Sequence, residues 1–208
     1  MTTIVGLTGS IGMGKTTTAA MFADAGAVVF NADAVVGELL CDKKIIARLA
    51  KRVPSAVAGQ HVMKENLRRA ILKAPRILDD LEKILHPLVR QHAKNFITRA
   101  RRRRIGVAVL EIPLLFETGF DVLCDVTVVV TAPAAVQRYR LLSRRGIDKK
   151  WLTLMRARQS PDVDKKRRAD FIIQTGVGRR YTRTQVKRVM TKIEARARTG
   201  KKGRKTNA

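Results

Sequence analysis

Residues 9–16 read GSIGMGKT and match the pattern G-x-x-x-x-G-K-[ST] at every fixed position. The apolar, β-branched run TIVGL (Thr3–Leu7) precedes this segment, and KTTTAAMFADA (Lys15–Ala25) follows with apolar residues at helical spacing. Glycines let such a loop curl so that backbone N–H groups point at phosphate oxygens, and the helix N-terminus adds partial positive charge. The segment therefore predicts a strand, a phosphate-binding loop and a helix, in that order.

Two side chains of this loop have chemistry that suits ATP. In this motif the Lys15 ammonium reaches the β- and γ-phosphates, and the Thr16 hydroxyl can ligate Mg²⁺. The alternative is a glycine-rich turn with a chance lysine, which the complete motif between a strand and a helix disfavours. We therefore predict ATP as the phosphoryl donor and Mg²⁺ as the cofactor. The predicted ATP-binding residues are Gly9, Ser10, Ile11, Gly12, Met13, Gly14, Lys15, Thr16, Thr17 and Arg144.

The rest of the chain alternates short apolar runs with helical patterns. The predicted further strands are Ala27–Phe30, Gly106–Leu110, Val126–Thr131 and Phe171–Ile173. The predicted helices span 34–52, 64–100 with breaks at Pro75 and Pro87, 133–145 ended by Gly146, 151–158, a segment from Pro161, and 181–198, with a loop over 53–59. This alternation indicates an α/β protein whose parallel sheet carries helices on both faces. The long helical stretch between the second and third strands resembles an insertion that could cap a substrate.

Two carboxylates follow predicted strands and would lie at the same edge of the sheet as the loop. Glu111 ends the run GVAVLE, where P-loop enzymes place a carboxylate that holds the Mg²⁺ shell, although a simple turn residue is the alternative. Asp33 follows the second strand. It could accept a proton from an attacking hydroxyl or order metal-bound water, and it could equally serve as a helix N-cap. The pattern alone does not separate these two roles of Asp33.

Four arginines lie at helical spacings after the fourth strand: Arg138, Arg140, Arg144 and Arg145. Phosphoryl transfer spreads negative charge over the equatorial oxygens, and a mobile arginine can neutralise that charge when a lid closes. A solvated basic face is the alternative for any one of them. We expect at least one member of this group to act on ATP.

Composition sets the class of protein. Hydrophobic residues make up 45% of the 208 residues, which is enough for one compact core. Cys41 and Cys124 are isolated, so we expect two ordinary buried thiols and neither a disulfide nor a metal site. The sequence has no signal-peptide pattern and no apolar run of roughly 18 residues. We therefore expect a cytoplasmic protein without a membrane partner.

The charge is strongly positive. Lys and Arg number 43 against 17 Asp and Glu, a net charge of +26, which attracts any polyanion. The runs Arg101–Arg104 and Arg196–Lys205 hold much of this excess. Aromatic residues such as Trp151 do not alternate with the basic runs, as a base-stacking surface would require. We expect generic surface and tail charge, and no specific nucleic-acid partner.

Several stretches together resemble the dephospho-CoA kinase family, which catalyses the last step of coenzyme A synthesis. The resemblance runs nearly end to end, and HPLV and IPLLFE discriminate this family because many unrelated enzymes share the P-loop. It implies phosphorylation of the ribose 3′-hydroxyl of dephospho-CoA by ATP. The stretches that carry it are TIVGLTGSIGMGKT (3–16), ADAVV (32–36), LEKILHPLVR (81–90), LEIPLLFETG (110–119), ARQ (157–159) and KKRRADFII (165–173).

The resemblance also implies a domain organisation. The fold would be the three-layer P-loop nucleoside-kinase-like fold of the α/β class, with a central parallel sheet, a helical insertion and a lid. Residues 1–40, 105–138 and 169–198 would form the nucleotide-binding core. Residues 41–104 would bind the coenzyme, 139–168 would form the lid, and 199–208 would be a disordered basic tail. We expect a monomer that binds ATP and dephospho-CoA.

The family's roles transfer to matching positions of this chain. Lys15, Asp33 and Arg140 would be catalytic, with Asp33 as the base toward the 3′-hydroxyl and Arg140 as the lid arginine. Thr16 and Glu111 would serve the metal. The substrate-binding residues would be Thr8, Asp33, His86, Leu114, Leu115, Phe116 and Glu117. For His86, which precedes Pro87, capping or orienting a helix is the alternative to a direct substrate contact.

The chain also departs from the family pattern. Asn31 and Glu111 each stand where an Asp is usual, so an altered rate or metal preference is expected. Met63–Lys64 replaces a common Asp-Arg, and Gln174–Gly176 replaces an Asp-containing turn. Because Lys15, Thr16 and Asp33 are all present, we expect an active enzyme.

Two other functions are alternatives to this family. Another P-loop kinase of a small metabolite would share the phosphate loop but has no reason to carry HPLVR together with IPLLFETG. A regulatory or nucleic-acid-associated NTPase is suggested only by the charge, and the guanine-reading N-K-x-D of a GTPase does not occur in the sequence. We therefore predict direct in-line transfer, with water excluded when the Arg140 lid closes.

Overall fold

The computed structural model describes residues 1–143 and 148–198. A parallel five-stranded sheet lies at the centre, in the order β2-β5-β1-β6-β7. The predictions for Arg144, Arg145 and Gly146 and for the tail at 199–208 fall outside the described residues. The strands of this sheet and of a separate two-stranded hairpin, β3–β4, are β1 (Thr3–Thr8), β2 (Val28–Asn31), β3 (Val57–Ala58), β4 (His61–Val62), β5 (Val107–Glu111), β6 (Val126–Thr131) and β7 (Phe171–Gln174).

The helices cover both faces of the sheet, which confirms the predicted α/β architecture. Along β1, Ile4 packs with residues of the face formed by α2 and α5, whereas its neighbour Val5 packs with α1 and α9. This alternation arises because successive side chains of a strand point to opposite faces. The helices are α1 (Lys15–Asp24), α2 (Ala32–Leu39), α3 (Lys43–Arg52), α4 (Lys64–Lys73), α5 (Arg76–Arg102), α6 (Ala134–Leu142), α7 (Lys149–Ala157), α8 (Asp162–Arg168) and α9 (Arg179–Arg198).

The prediction of one continuous helix over 34–52 is wrong. Two helices, α2 and α3, occupy the stretch, because the Asp42 side chain accepts hydrogen bonds from the backbone N–H groups of Lys44 and Ile45 and so caps a new helix. The predicted loop over 53–59 likewise contains a 3₁₀ turn at Pro54–Ala56 and the first strand of the small hairpin.

The predicted break at Pro87 is also wrong. Helix α5 runs without interruption for 27 residues through this proline. A proline inside a helix removes one backbone hydrogen bond and costs about 3 kcal/mol. Buried residues occur on the same face of α5 before and after Pro87, including Leu81, Leu85, Val89 and Ala93. Burial of that continuous face outweighs the cost at one exposed position.

The two cysteines differ in environment. Cys41 follows the end of α2 and is exposed, so the prediction that both thiols are buried is wrong for Cys41. Cys124 packs beside Gly6, where an added Cβ would lie 2.7 Å from the Cys124 sulfur. Burial raises the pKa of Cys124 to about 12, with Asp121 and Asp125 adding to the effect. Across residues 1–143 and 148–198, no helix combines the length and apolar character needed to cross a membrane.

Replacing Pro87 with alanine should stabilise the protein. The change restores the N–H that α5 lacks at this position, and the exposed ring gives little packing in return. We expect the free energy of unfolding to rise by about 2 kcal/mol. Removing the proline stabilises the helix by about 3 kcal/mol, whereas the greater freedom of the unfolded chain offsets about 1 kcal/mol of this gain. Urea unfolding measures it, with Gln91→Ala one turn later as the control. A destabilised Pro87→Ala protein would contradict this account of α5.

Candidate active site

A cleft opens at the carboxyl ends of β1, β2 and β5, between the phosphate loop and α5. Its volume is about 440 Å³. The wall on the sheet side includes residues 9–12 and 14–17 of the phosphate loop together with Asp33 of α2. Glu82, His86 and Val89 of α5 form the opposite wall. The cleft therefore joins the predicted nucleotide site to the predicted coenzyme-binding insertion, although the two are far apart in sequence.

The phosphate loop has the curled backbone that its glycines allow. Gly12 and Gly14 have φ values of 82° and 89°, in the left-handed region that favours glycine. Gly9 passes so close to β6 that an added Cβ would lie 2.6 Å from the carbonyl oxygen of Val130. Met13 is buried beneath the loop and does not line the cleft, and its sulfur accepts a hydrogen bond from the N–H of Ala132.

Glu111 is the most connected side chain of the site. Its carboxylate is 2% exposed, and Oε1 accepts hydrogen bonds from Lys15 Nζ at 3.0 Å and Thr16 Oγ1 at 2.8 Å. Oε2 accepts a hydrogen bond from Asn31 Nδ2 at 2.9 Å. The parallel register places Asn31 and Leu7 beside Glu111 on the two neighbouring strands. The carboxylate thus joins the ends of β2 and β5 to the start of α1.

Asn31 has two functions in this arrangement. Its Nδ2 donates to Glu111, and its Oδ1 accepts a hydrogen bond from the N–H of Ala34 at 2.8 Å, which caps α2. The capping role that the sequence left open for Asp33 therefore belongs to Asn31. Asp33 lies exposed in the first turn of α2 and lines the cleft, as Lys15 does.

His86 lies on α5 with its side chain at the cleft. Burial lowers the pKa of His86 from its ordinary value of 6.5, and the nearby positive charge of Arg90 acts in the same direction, while Glu82 opposes both. At neutral pH the imidazole is therefore mostly uncharged and can both donate and accept a hydrogen bond. Arg90, one turn further along α5, donates to the backbone oxygen of Thr118 at 2.8 Å and so fixes α5 to the loop after β5.

The residues predicted from the IPLLFE segment separate in space. Leu114 lines the cleft, whereas Leu115 is fully buried in the core and Phe116 is buried with the guanidinium of Arg168 4.3 Å from its ring centre. Thr8 is also fully buried and donates to the backbone oxygen of Pro113 at 3.0 Å. Contact of these three buried side chains with a substrate stays a prediction, since none of them lines the cleft.

Glu117 holds the segment 160–165 against the core and does not line the cleft. Its Oε1 accepts a hydrogen bond from the N–H of Ser160 at 2.8 Å and lies 3.1 Å from Nζ of the fully buried Lys165. Burial by itself would raise the pKa of Glu117. The hydrogen bonds from the N–H groups of Ser160 and of Glu117 itself, together with Lys165, outweigh burial and lower that pKa below 4.5.

Arg140 lies on the outer side of the phosphate loop. Its guanidinium donates to Thr175 Oγ1 at 2.9 Å, to the Thr175 backbone oxygen at 2.7 Å and to the Gly12 oxygen at 3.4 Å. Thr175 Oγ1 in turn donates to the backbone oxygen of Met13 at 2.7 Å. The guanidinium thus supports the loop from behind, and it is not among the residues that line the cleft. Arg138 of the same group is exposed.

The sequence analysis gave no role to several polar residues that the structure brings to the phosphate loop. Gln137 Nε2 donates to the backbone oxygen of Ile11 at 2.7 Å, and Gln159 Oε1 accepts from the N–H of Ile11 at 3.0 Å. Thr175, which also contacts the loop, received no role from the sequence, and neither did Arg158 and Glu82, which line the cleft. For Gln159 the ARQ segment at 157–159 was a visible signal, but it had no assigned chemistry. Gln137 and Arg140 are three residues apart on α6 and therefore lie on one helix face. The sequence pattern drew attention to Arg140 and not to Gln137.

The donor set suits Mg²⁺ bound together with a nucleotide. Thr16 and Glu111 provide hard oxygen atoms at the loop, and Asp33 lies at the same cleft. Among the described residues no group of three or more His, Cys, Asp or Glu could hold a metal alone. In nucleotide sites Mg²⁺ usually takes one or two carboxylates and completes its shell with water and substrate phosphates.

Comparison with known proteins identifies one family. The family model described as Dephospho-CoA kinase matches residues 3–179. A dephospho-CoA kinase of Mesorhizobium japonicum is 44% identical over 191 residues, which cover 91% of this chain and 96% of the relative. The dephospho-CoA kinase of Agrobacterium fabrum is 40% identical over 195 residues, or 94% of this chain and all of the relative. A solved protein structure from Thermus thermophilus superposes with a TM-score of 0.76 at 29% identity, covering 91% of this chain and 97% of its own.

Replacing Glu117 with glutamine should destabilise the protein at neutral pH. The change leaves the buried Lys165 ammonium without its counter-charge, and breaking such a pair from one side costs about 3 kcal/mol. Replacing both partners, as Glu117→Gln with Lys165→Met, should recover most of this loss. Urea unfolding at pH 7 measures it. Glu65→Gln, which breaks an exposed pair with Arg69, is the control and should cost under about 1 kcal/mol.

The same variant has an expected pH dependence. The pKa of Glu117 is lower in the folded state than its ordinary value of 4.5, so the carboxylate stabilises the fold above that value. This stabilisation is lost as the pH falls through the lowered pKa. The stability gap between the wild type and Glu117→Gln should therefore narrow as the pH falls below 4.5 and through the lowered pKa of Glu117. A gap that stays constant or widens in acid would contradict the ion pair.

Proposed function

The chain belongs to the dephospho-CoA kinase family and phosphorylates dephospho-CoA with ATP, and we propose that this transfer takes place in the cleft between the phosphate loop and α5. One observation carries the proposal. The Lys15–Glu111–Thr16 cluster adjoins the same cavity as His86 of α5, which lies in the segment that most clearly marks the family. The proposed donor site and the proposed acceptor site would therefore share one cavity.

The nucleotide would bind over residues 9–17, with its phosphates held by inward N–H groups and by the start of α1. Lys15 now donates to Glu111, and the same ammonium would turn to the β- and γ-phosphates when ATP binds. Since Glu111 also has Asn31 and Thr16 as donors, it keeps partners when Lys15 moves. This arrangement lets the loop exchange one anion for another without leaving a buried charge alone.

Dephospho-CoA would lie between the loop and α5, with its ribose 3′-hydroxyl directed at the γ-phosphate. Asp33, which lines the cleft, would accept the hydroxyl proton as the new oxygen–phosphorus bond forms and the bond to the β–γ bridging oxygen breaks. Uncharged His86 and apolar Leu114 would contact the acceptor from the α5 side and from the loop after β5. Asp33 is the only acid among the lining residues next to the phosphate loop within the described chain.

Mg²⁺ would be held by Thr16 with help from Glu111, and it would neutralise negative charge on the phosphates when bound. Glu111 replaces the shorter Asp that is usual in the family. Its extra methylene lets it reach both Thr16 and Asn31, and Asn31 itself replaces an acid of the family pattern. The two departures are thus matched, because the amide of Asn31 donates to the carboxylate where a second carboxylate would repel it.

Arg140 would support the phosphate loop and, together with Arg144, would face the nucleotide when the segment 139–168 closes over it. We further propose that residues 1–40, 105–138 and 169–198 form the core, that 41–104 bind the coenzyme, and that the enzyme acts as a cytoplasmic monomer. The helices α3–α5 and the small hairpin would make up this insertion.

Two substitutions separate binding from proton transfer. Lys15→Ala should lower coenzyme A formation by about 100-fold or more and weaken ATP binding, because the phosphates lose their cation. Asp33→Asn should lower turnover by about 100-fold or more while leaving ATP affinity within about 3-fold. Mass-spectrometric detection of coenzyme A and calorimetric titration of ATP measure both effects. Equal, mild effects of the two changes would overturn these roles; the exposed positions Lys44→Ala and Glu38→Gln are the controls.

A third substitution tests the metal. Glu111→Gln should raise the Mg²⁺ concentration needed for half-maximal turnover by about 10-fold, since the neutral amide attracts a cation less than the carboxylate does. The rate is measured at saturating ATP and dephospho-CoA over a Mg²⁺ series. Asp80 is an exposed acid of α5 that pairs with Arg52 of α3, and Asp80→Asn should leave the curve unchanged. An unshifted curve for Glu111→Gln would remove Glu111 from the metal site.

A further inference from the structure

Three consecutive residues between α7 and α8 each contact a different part of the active site. We call residues 158–160 the strap. Arg158 contacts α5, Gln159 contacts the phosphate loop, and Ser160 contacts Glu117 in the loop after β5. The first two strap residues also line the cleft. The strap therefore touches both walls of the active site within the length of two peptide units.

The contact with α5 is ionic and partly buried. Arg158 donates to Asp79 and, at 2.9 Å, to Glu82 Oε2, and its side chain is 27% exposed. Glu82 lies one turn before His86 on the wall proposed to bind the acceptor. Dephospho-CoA carries an anionic diphosphate, which would compete with these two carboxylates for the guanidinium. Acceptor binding against α5 would thus act directly on Arg158.

The contact with the phosphate loop is made to its backbone. Gln159 accepts the N–H of Ile11, while Gln137 of α6 donates to the Ile11 oxygen. Ile11 is the third residue of the eight-residue motif, so its N–H belongs to the set that can turn toward phosphate oxygens. In the present arrangement that N–H is committed to Gln159 and is not offered to a nucleotide.

The far end of the strap is fixed. The N–H of Ser160 donates to Glu117, which is paired with the fully buried Lys165. Gln159 lies between Arg158 and the fixed Ser160. A displacement of Arg158 would therefore pull on Gln159.

We propose that Gln159 is a positioning residue that makes nucleotide binding depend on acceptor binding. Without the acceptor, Gln159 holds the Ile11 N–H away from the phosphates. When the acceptor draws Arg158 from Asp79 and Glu82, the strap shifts and the N–H becomes available to ATP. By thermodynamic linkage the nucleotide tightens acceptor binding by the same factor. The inference rests on the proposed function, in that it places dephospho-CoA against α5.

The test is calorimetric titration of a non-hydrolysable ATP analogue with Mg²⁺, in the absence and presence of saturating dephospho-CoA. For the wild type, the dissociation constant of the analogue without dephospho-CoA should be about 5 times the constant with it. This ratio is the size expected of one net hydrogen bond. Gln159→Met and Arg158→Met should bring the ratio to about 1. Gln159→Glu, which keeps an acceptor oxygen, should retain the ratio while weakening both affinities through its added charge.

Matched controls exclude a general effect of these substitutions. Gln91→Met changes an exposed glutamine of α5. Arg52→Met breaks the exposed ion pair between Arg52 of α3 and Asp80 of α5. Both should keep the wild-type ratio, and thermal unfolding checks that every variant is folded. The proposal would be overturned if the wild-type ratio were near 1 or if both strap variants kept the wild-type ratio. A ratio that fell to about 1 in the controls would overturn it as well.

A separate titration distinguishes failure of the strap from failure of the proposed acceptor site. Dephospho-CoA alone is titrated into the wild type and into His86→Ala. Weaker binding to His86→Ala together with a wild-type nucleotide ratio near 1 would overturn the role of Gln159 and leave the acceptor site in place. Equal binding to both proteins would overturn the acceptor site on α5, and the strap proposal with it.

Discussion

Glu111 is a carboxylate with 2% exposure at the point where the central parallel strands end, so its negative charge has to be met by donors from neighbouring elements. Lys15, Thr16 and Asn31 supply those donors from the phosphate loop, α1 and β2. The need to pair this carboxylate holds α1, β2 and β5 in one arrangement. Glu111 therefore links the geometry of the phosphate loop to the ends of β2 and β5.

Around this charge the phosphate loop is supported almost entirely by side chains from distant segments. Gln137 and Arg140 of α6 hold its carbonyl groups, Thr175 holds Met13, and Gln159 holds the N–H of Ile11. A glycine-rich loop has little conformational preference of its own, so such contacts decide its shape. They also explain how segments that never meet in sequence can influence phosphate binding.

The large positive charge has two parts in the structure. Cations such as Lys15, Arg158 and Lys165 are paired with specific carboxylates and build the site. Others lie exposed on α9, including Arg180 and Lys187, where acids are few. Exposed charges of this kind contribute little to stability. They draw anions toward the protein in general, which suits an enzyme with two anionic substrates.

The sequence by itself determined the α/β class, the order of the strands and helices, the phosphate loop and the family, because each depends on local pattern or on contiguous motifs. Its errors were also local: burial of one continuous helix face carried α5 through Pro87, and Asp42 divided a predicted single helix. Only the tertiary structure decided which polar groups meet. Asn31, and not Asp33, caps α2, because α2 begins at Ala32, and the sheet register also brings the Asn31 amide to Glu111. Ile11 and Gln159, 148 residues apart, are joined by packing, and a contact between such distant residues leaves no periodicity in the sequence.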